Sequence, residues 1–304
     1  MRFFKEEDVR RMLPMPEAIR IVRDAFAEFA AGKASHQPRR RLFLPSGAVL
    51  HSMTGATERY CGAKVYATHA SLGTASFTVL LYEAATAKPL AHLEADWLGQ
   101  IRTGAVSGVA ADVLLSDGPV DAACIGSGFQ ARSQIEALSA VRPIRKVFVW
   151  SRKPERRDAF AAEMGSALGL DIEVARSAED AAAAADVLIT ATWSKDPVVA
   201  AEAVRPGTVV LAMGSNNPQR RELPGDLVRS ARVVVEDRGA CEQEAGDLLL
   251  AWEPGQWSQA VELKTLVGGG SGSAVRPDTV TVFKSVGIGL SDIAVAGWLY
   301  ERHS

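Results

Sequence analysis

The stretch of this 304-residue chain that most plainly carries chemistry runs from Val120 to Leu138. An apolar run, Ala122 to Ile125, ends in Gly126-Ser127-Gly128-Phe129-Gln130-Ala131, and a helical pattern with Ile135 and Leu138 on one side follows at once. Strand, glycine turn and helix in that order form a dinucleotide-binding unit. Gly126 permits the tight turn and Gly128 lets the backbone approach a pyrophosphate. The small Ala131 lets helix and strand pack closely, and the helix N-terminus offers free N–H groups to phosphate oxygens. Gln130 lies in the first turn of that helix, within the same cradle. Taken alone the motif is weak; the flanking strands give it weight.

The position that reads the adenosine ribose comes at the end of the next strand, about twenty residues further on. An NAD-binding chain places a carboxylate there to accept bonds from the 2′-hydroxyl. This chain has Val149-Trp150-Ser151-Arg152-Lys153, with Arg156 and Arg157 following. Ser151 and the planar donors of Arg152 suit a 2′-phosphate, so NADP(H) is favoured and NAD(H) is the alternative. A solvated basic loop is the competing reading of the same residues.

The elements that must position these groups fall into two patterns. After helical spacing from Met1 to about Ala34, with Pro16 in a first turn, strand signals crowd together at Arg41–Leu44, Ala48–Met53, Cys61–His69, Ser76–Tyr82 and Leu90–Leu93. Without helices between them they predict an antiparallel or mixed sheet. A small-residue helix, Ile101 to Leu115, leads into the second half. There strands at about 122–125, 146–150, 172–175, 187–191, 209–212 and 233–236 alternate with helices, which predicts a parallel, doubly wound sheet. A strand at 279–283 and a helix at 291–302 close the chain. The expected class is therefore α/β: a Rossmann-type doubly wound sheet over 112–288, beside an α+β substrate-binding and dimerisation domain built from 1–111 with 289–304. Gly268 to Ser273 reads as a mobile loop that either closes over a cleft or only connects two elements.

Bulk properties bound the partners. A hydrophobic share of 47%, a charged share of 23% and a net charge of −2 describe an ordinary globular protein with no strong attraction to nucleic acid or an anionic membrane. Small molecules are the expected ligands. Cys61, Cys124 and Cys241 lie far apart, and the five histidines have no ligand spacing, so neither disulfides nor a metal site is expected. No signal-peptide core or membrane span is visible, and a cytoplasmic setting is expected.

Several segments together resemble the ornithine cyclodeaminase/mu-crystallin family over nearly the whole chain. They include Gln37-Pro38-Arg39-Arg40, Gly62-Ala63-Lys64-Val65, Ile101-Arg102-Thr103-Gly104-Ala105-Val106-Ser107 and the Gly126–Ser133 loop. Gly214-Ser215-Asn216, Arg221-Glu222-Leu223, Glu244–Leu248 and Phe283-Lys284-Ser285-Val286-Gly287 extend the likeness. The resemblance implies a homodimer, with the active site in a cleft between domains, and hydride transfer between a nicotinamide and the α-carbon of an amino or imino acid. By matching position, Arg40, Lys64 and Arg102 would face the substrate, the two arginines gripping its α-carboxylate. Strand alternation sets Arg40 opposite Arg39 and Arg41, and the match is uncertain by one residue. Lys64 would exchange a proton with the substrate nitrogen.

One departure stands out. Family cyclodeaminases carry an aspartate after the glycine that here is Gly214, and this chain has Asn216. An amide bonds but does not accept a proton near neutrality. Cyclodeamination needs a base to free the amine, whereas imine reduction does not. With Lys64 and Asn216 at the chemistry, the reading favours an NADPH-dependent reductase of cyclic ketimino acids. Alternatives are an ornithine cyclodeaminase recycling NAD and a non-enzymatic binder of small ligands. Asp196 or Asp237 could supply the missing base, although Asp237 also suits a turn.

Overall fold

The computed structural model describes residues 1–270 and 276–302, so Ser271, Gly272 and Ser273 of the glycine-rich loop lie outside the described residues. The chain divides into two compact units, 1–106 with 287–304 and 107–286.

The first unit starts with β1 (Arg2–Phe4), α1 (Glu6–Met12) and α2 (Met15–Ala30), where the sequence predicted continuous helix. Leu13 and Pro14 end one helix and cap the next, because a proline has no N–H to continue the ladder. β1 pairs in parallel with β7. Three residues are too few for an alternation to show. Then come β2 (Ser35–His36), β3 (Arg40–Phe43), β4 (Ala48–Ala56), β5 (Tyr60–His69), β6 (Thr74–Glu83) and β7 (Pro89–Glu94), ordered β1-β7-β6-β5-β4-β2 with β3 on β4. Apart from the β1–β7 pair the sheet is antiparallel. α3 (Asp96–Leu114) carries the chain from this unit into the next.

The second unit holds β8 (Val120–Ile125), α4 (Phe129–Val141), β9 (Ile144–Trp150), α5 (Pro154–Leu168), β10 (Ile172–Val174), α6 (Ala178–Ala183), β11 (Val187–Thr190) and β12 (Val209–Ala212). It continues through α7 (Gly225–Ser230), β13 (Arg232–Val235), α8 (Arg238–Glu244), α9 (Gly246–Leu249), β14 (Val261–Glu262), α10 (Leu263–Val267) and β15 (Thr281–Lys284). All pairs in this sheet are parallel, in the order β10-β9-β8-β11-β12-β15-β13-β14. This is the doubly wound sheet expected, with its order reversing between β8 and β11. Ligands of such sheets bind at that reversal, beyond the C-terminal ends of the strands.

α11 (Gly289–Arg302) returns to the first unit, where backbone lies directly on backbone. A Cβ on Gly55 of β4 would come within 2.6 Å of Leu290 N, and one on Gly289 within 2.5 Å of Thr54 O. This close seat turns the N-terminal half of an otherwise apolar helix against the sheet. Asp292 is carried in with it.

Candidate functional site

In the first unit, β5 alternates Lys64, Tyr66 and Thr68 onto one face, and the register sets Met53 and Val79 beside Lys64. Lys64 is buried, as are Arg102 on α3 and Asp292 on α11. Asp292 Oδ1 accepts from Lys64 Nζ at 2.7 Å and from Arg102 Nε at 2.9 Å. Arg102 Nη1 and Asp292 Oδ2 are buried with no hydrogen-bond partner among the described residues. Such groups cost free energy unless something pairs with them, which marks a place for a polar ligand.

Arg39, not Arg40, completes this cluster. Arg40 is exposed, whereas Arg39 is 7% exposed and donates from Nη2 to Gly287 O at 3.4 Å. The alternation across 39–41 holds, and the inward register is the odd-numbered one, so of the arginines among which the sequence match was open the structure brings Arg39, and not Arg40, to the cluster. Gly287, at φ +80°, sits where both guanidiniums meet. A Cβ there would lie 3.0 Å from Arg102 Nη1 and 3.3 Å from Arg39 Nη2, so any other residue would crowd both guanidiniums.

Burial, Arg102 and Arg39 pull Lys64 down to about 7, against the opposing pull of Asp292. A lysine that titrates near neutrality both gives and takes a proton at working pH. Beside it the Tyr66 ring, 5.8 Å from Nζ, is stacked between His51 at 4.2 Å and Phe77 at 4.7 Å. Burial with Arg41 and Arg39 nearby holds His51 near 4, so this wall is aromatic and neutral at pH 7.

In the second unit the glycine turn opens a cavity of about 960 Å³ at the strand-order reversal. Gly126, Gly128 and Gln130 line it together with Ser151 and Arg152 from beyond β9, while Ala131 is buried against the sheet behind. At φ +120°, Gly126 turns so tightly that a Cβ would stand 2.4 Å from Ala191 O. A Cβ on Gly128 would meet nothing within 4 Å, which is the open approach a pyrophosphate needs, and no side chain caps α4. Arg132 Nη1 donates to the Ser127 and Gly128 carbonyls at 3.3 and 3.0 Å, and Ser127 Oγ donates to Ser151 Oγ at 2.9 Å. Arg152, Lys153 and Arg156 line the rim, and no described lining residue is acidic. The cavity fits a dinucleotide, and Ser151 and Arg152 stand where the adenosine ribose would be read.

The model that describes the ornithine cyclodeaminase/mu-crystallin family matches residues 2–304. The chain belongs to that family. A Δ1-pyrroline-2-carboxylate reductase of Bacillus cereus is 37% identical over 228 residues, 74% of this chain and 70% of that protein. The Thermococcus litoralis Δ1-pyrroline-2-carboxylate reductase in complex with NADH and L-proline superposes with a TM-score of 0.93 at 30% identity, covering 99% of this chain and 97% of that one. A probable ornithine cyclodeaminase from Bordetella pertussis gives 0.92 at 32%, covering 100% and 97%.

Within this family member, Asn216 is half-buried in the turn beyond β12, two residues past Gly214 of the cavity wall. Asp237 proves to be a capping residue, its Oδ1 accepting from Ala240 N at 2.8 Å at the start of α8. Asp292 went unnoticed in the sequence, though an acid alone among Ile288, Leu290, Ile293, Ala294 and Val295 was a signal. A carboxylate carried into an apolar helix face needs a buried cation. Among the described residues no group of three or more His, Cys, Asp or Glu is placed to hold a metal ion, and no helix is long and apolar enough to cross a membrane.

Proposed function

We propose that this protein is an NADPH-dependent reductase of cyclic ketimino acids of the pyrroline-2-carboxylate or piperideine-2-carboxylate type. The observation that carries the reading is the buried Lys64–Asp292–Arg102 cluster joined by Arg39. The charges that act on Lys64 are two guanidiniums and one carboxylate. That balance attracts an anion and repels a cation. The substrate therefore enters as the neutral imine with an ionised carboxylate. Arg102 and Arg39 bind the carboxylate, and the Lys64 ammonium, steadied by Asp292, gives its proton to the imine nitrogen. NADPH supplies the hydride when bound. Gly126, Gly128 and Gln130 cradle its phosphates, with Ser151 and Arg152 on the 2′-phosphate. The flat, neutral wall of Tyr66 and His51 suits a small ring. With Asn216 in place of an acid, the cyclodeaminase alternative would have to take its base from Lys64, and the two guanidiniums beside Lys64 disfavour the cationic diamino acid that reaction consumes.

Absorbance of the reduced nicotinamide with Δ1-pyrroline-2-carboxylate tests this. NADPH will be oxidised with kcat/KM at least about tenfold above NADH, and Arg152→Ala will remove about ten- to hundredfold from the NADPH value alone, as loss of charge-assisted bonds implies. Ammonia and proline from ornithine with NAD, without net cofactor turnover, would overturn the reading.

A second copy of the chain is the proposed partner of the first unit. Leu42 and Leu50 face each other across β3 and β4, and with Phe43, Leu44 and Leu72 they are exposed at one end of the sheet. Such a cluster marks an interface. Sedimentation equilibrium will give a dimer, and Phe43→Asp a shift toward monomer; a wild-type monomer at micromolar concentration would refute it.

A further inference from the structure

The cofactor cavity has two halves of different construction. Its adenosine side is the end of β9, and the strand order puts β11 and β12 across the reversal, so Thr192, Trp193, Ser194, Pro197, Val198 and Met213-Gly214 wall the nicotinamide half. These walls are irregular backbone, and one buried side chain ties them together. Glu222 Oε1 accepts from Thr192 N at 2.6 Å and Thr192 Oγ1 at 2.7 Å. Its Oε2 accepts from Thr190 Oγ1 at 2.9 Å and Gly214 N at 2.7 Å. The Glu222 carbonyl takes Val198 N at 2.8 Å. A Cβ on Gly214 would stand 2.3 Å from Glu222 Oε1, so glycine is what lets the wall reach the carboxylate.

The ties continue inward. Asp247 Oδ1 accepts from Glu222 N at 2.6 Å and Leu223 N at 2.9 Å, and its Oδ2 pairs with Lys284 Nζ at 2.8 Å. Lys284 Nζ then donates to Ser215 O at 2.6 Å, next to Asn216. Glu222, Asp247 and Lys284 are all fully buried. Burial and the neighbouring Asp247 push the Glu222 carboxyl upward, against Lys284 and the Thr192 bonds, which favour the ionised form. Buried ion networks of this kind stabilise a fold poorly, since apolar side chains often do as well. What apolar side chains lack is the power to hold four separate N–H and O–H groups at one point.

We propose that Glu222, backed by Asp247 and Lys284, is a positioning residue that shapes the nicotinamide half of the cavity and sets the placement of Asn216. This rests on the dinucleotide reading of the cavity. Glu222→Gln turns at least one amide N–H against a donor, and Thr190→Val, buried and outside the cavity lining, removes one tie with little change of shape. Calorimetry with NADPH and with adenosine 2′,5′-bisphosphate, which carries only the adenosine side, separates the possibilities. In Glu222→Gln, NADPH binding will weaken about ten- to hundredfold and kcat will fall, while the bisphosphate Kd and the KM for the imino acid stay within about twofold. Thr190→Val will show the same pattern at about three- to tenfold. Equal losses for both ligands in Thr190→Val would mean a merely structural role and overturn the proposal, as would unchanged NADPH binding in both variants. If Glu222→Gln fails to fold, the Thr190→Val pattern decides. Wild-type protein that binds neither ligand would refute the dinucleotide reading itself, a result distinct from either of these.

Discussion

Lys64→Met will lower imine reduction by about 10²- to 10⁴-fold, the span general acid catalysis accounts for, and will leave NADPH binding unchanged. Lys64 reaches Asp292 but is the group free to move a proton, with Nζ offering donors beyond the one at 2.7 Å. In the wild-type enzyme the rate will fall as pH rises through about 7, where Lys64 loses its proton, and that alkaline limb will vanish in the residual activity of the variant. A limb that persists in Lys64→Met assigns the proton to another group. The same titration has a stability consequence of definite sign. The folded pKa lies below the ordinary lysine value of 10.5, so between about 7 and 10.5 the unfolded chain holds the proton more firmly. The burial of the ammonium is a destabilisation fully present below 7 and relieved as pH climbs through that window. Wild-type stability relative to Lys64→Met will therefore improve by up to about 1.4 kcal/mol per pH unit there, measured by urea unfolding.

What was legible in the sequence follows from how far each signal reaches along the chain. The glycine turn, its strand and its helix lie within one stretch, Val120 to Val141, and Gly126, Gly128 and Gln130 all reach the cavity, as do Ser151 and Arg152 one strand later. β11 and β12 are short and buried on both faces, and apart from β14, which the sequence did not predict, the strand ends of the second unit fall within two residues of the expected positions. Asp292 was hidden because its meaning lies 228 residues away at Lys64. Alternation separated Arg40 from Arg39 and Arg41 but could not say which set faces inward, since that is decided by α11 and the meeting at Gly287. Glu222 and Lys284 could be quoted as motif residues without a role, because the groups they tie come from β11, the segments beyond β11 and β12, and α9.

Arg102→Met and Asp292→Asn will part in opposite directions, though they break the same 2.9 Å contact. Removing Arg102 deletes a guanidinium whose Nη1 has no partner among the described residues, and leaves Asp292 with Lys64 alone. The substrate carboxylate then loses a charged, two-pronged donor, and KM will rise about 30- to 5,000-fold, the 2–5 kcal/mol cost of truncating a buried charge pair. Asp292→Asn keeps the arginine and removes the opposing negative charge, so the anion binds no worse and KM will not rise. Its cost appears elsewhere. Asp292 is the group that holds the Lys64 pKa up against burial and the two arginines, so the alkaline limb of kcat will move to lower pH. Stability will drop by about 3–5 kcal/mol, because buried cations are left uncompensated. Proline, the product of the proposed reduction of pyrroline-2-carboxylate, will restore part of that loss by binding the folded state in preference to the unfolded chain. Equal rises in KM for both variants, with no movement of the pH limb in Asp292→Asn, would refute the division of labour, reducing Asp292 to a structural partner of Arg102. A rise for Arg102→Met together with an acid-shifted limb for Asp292→Asn fixes the carboxylate on the guanidinium and the proton on Lys64.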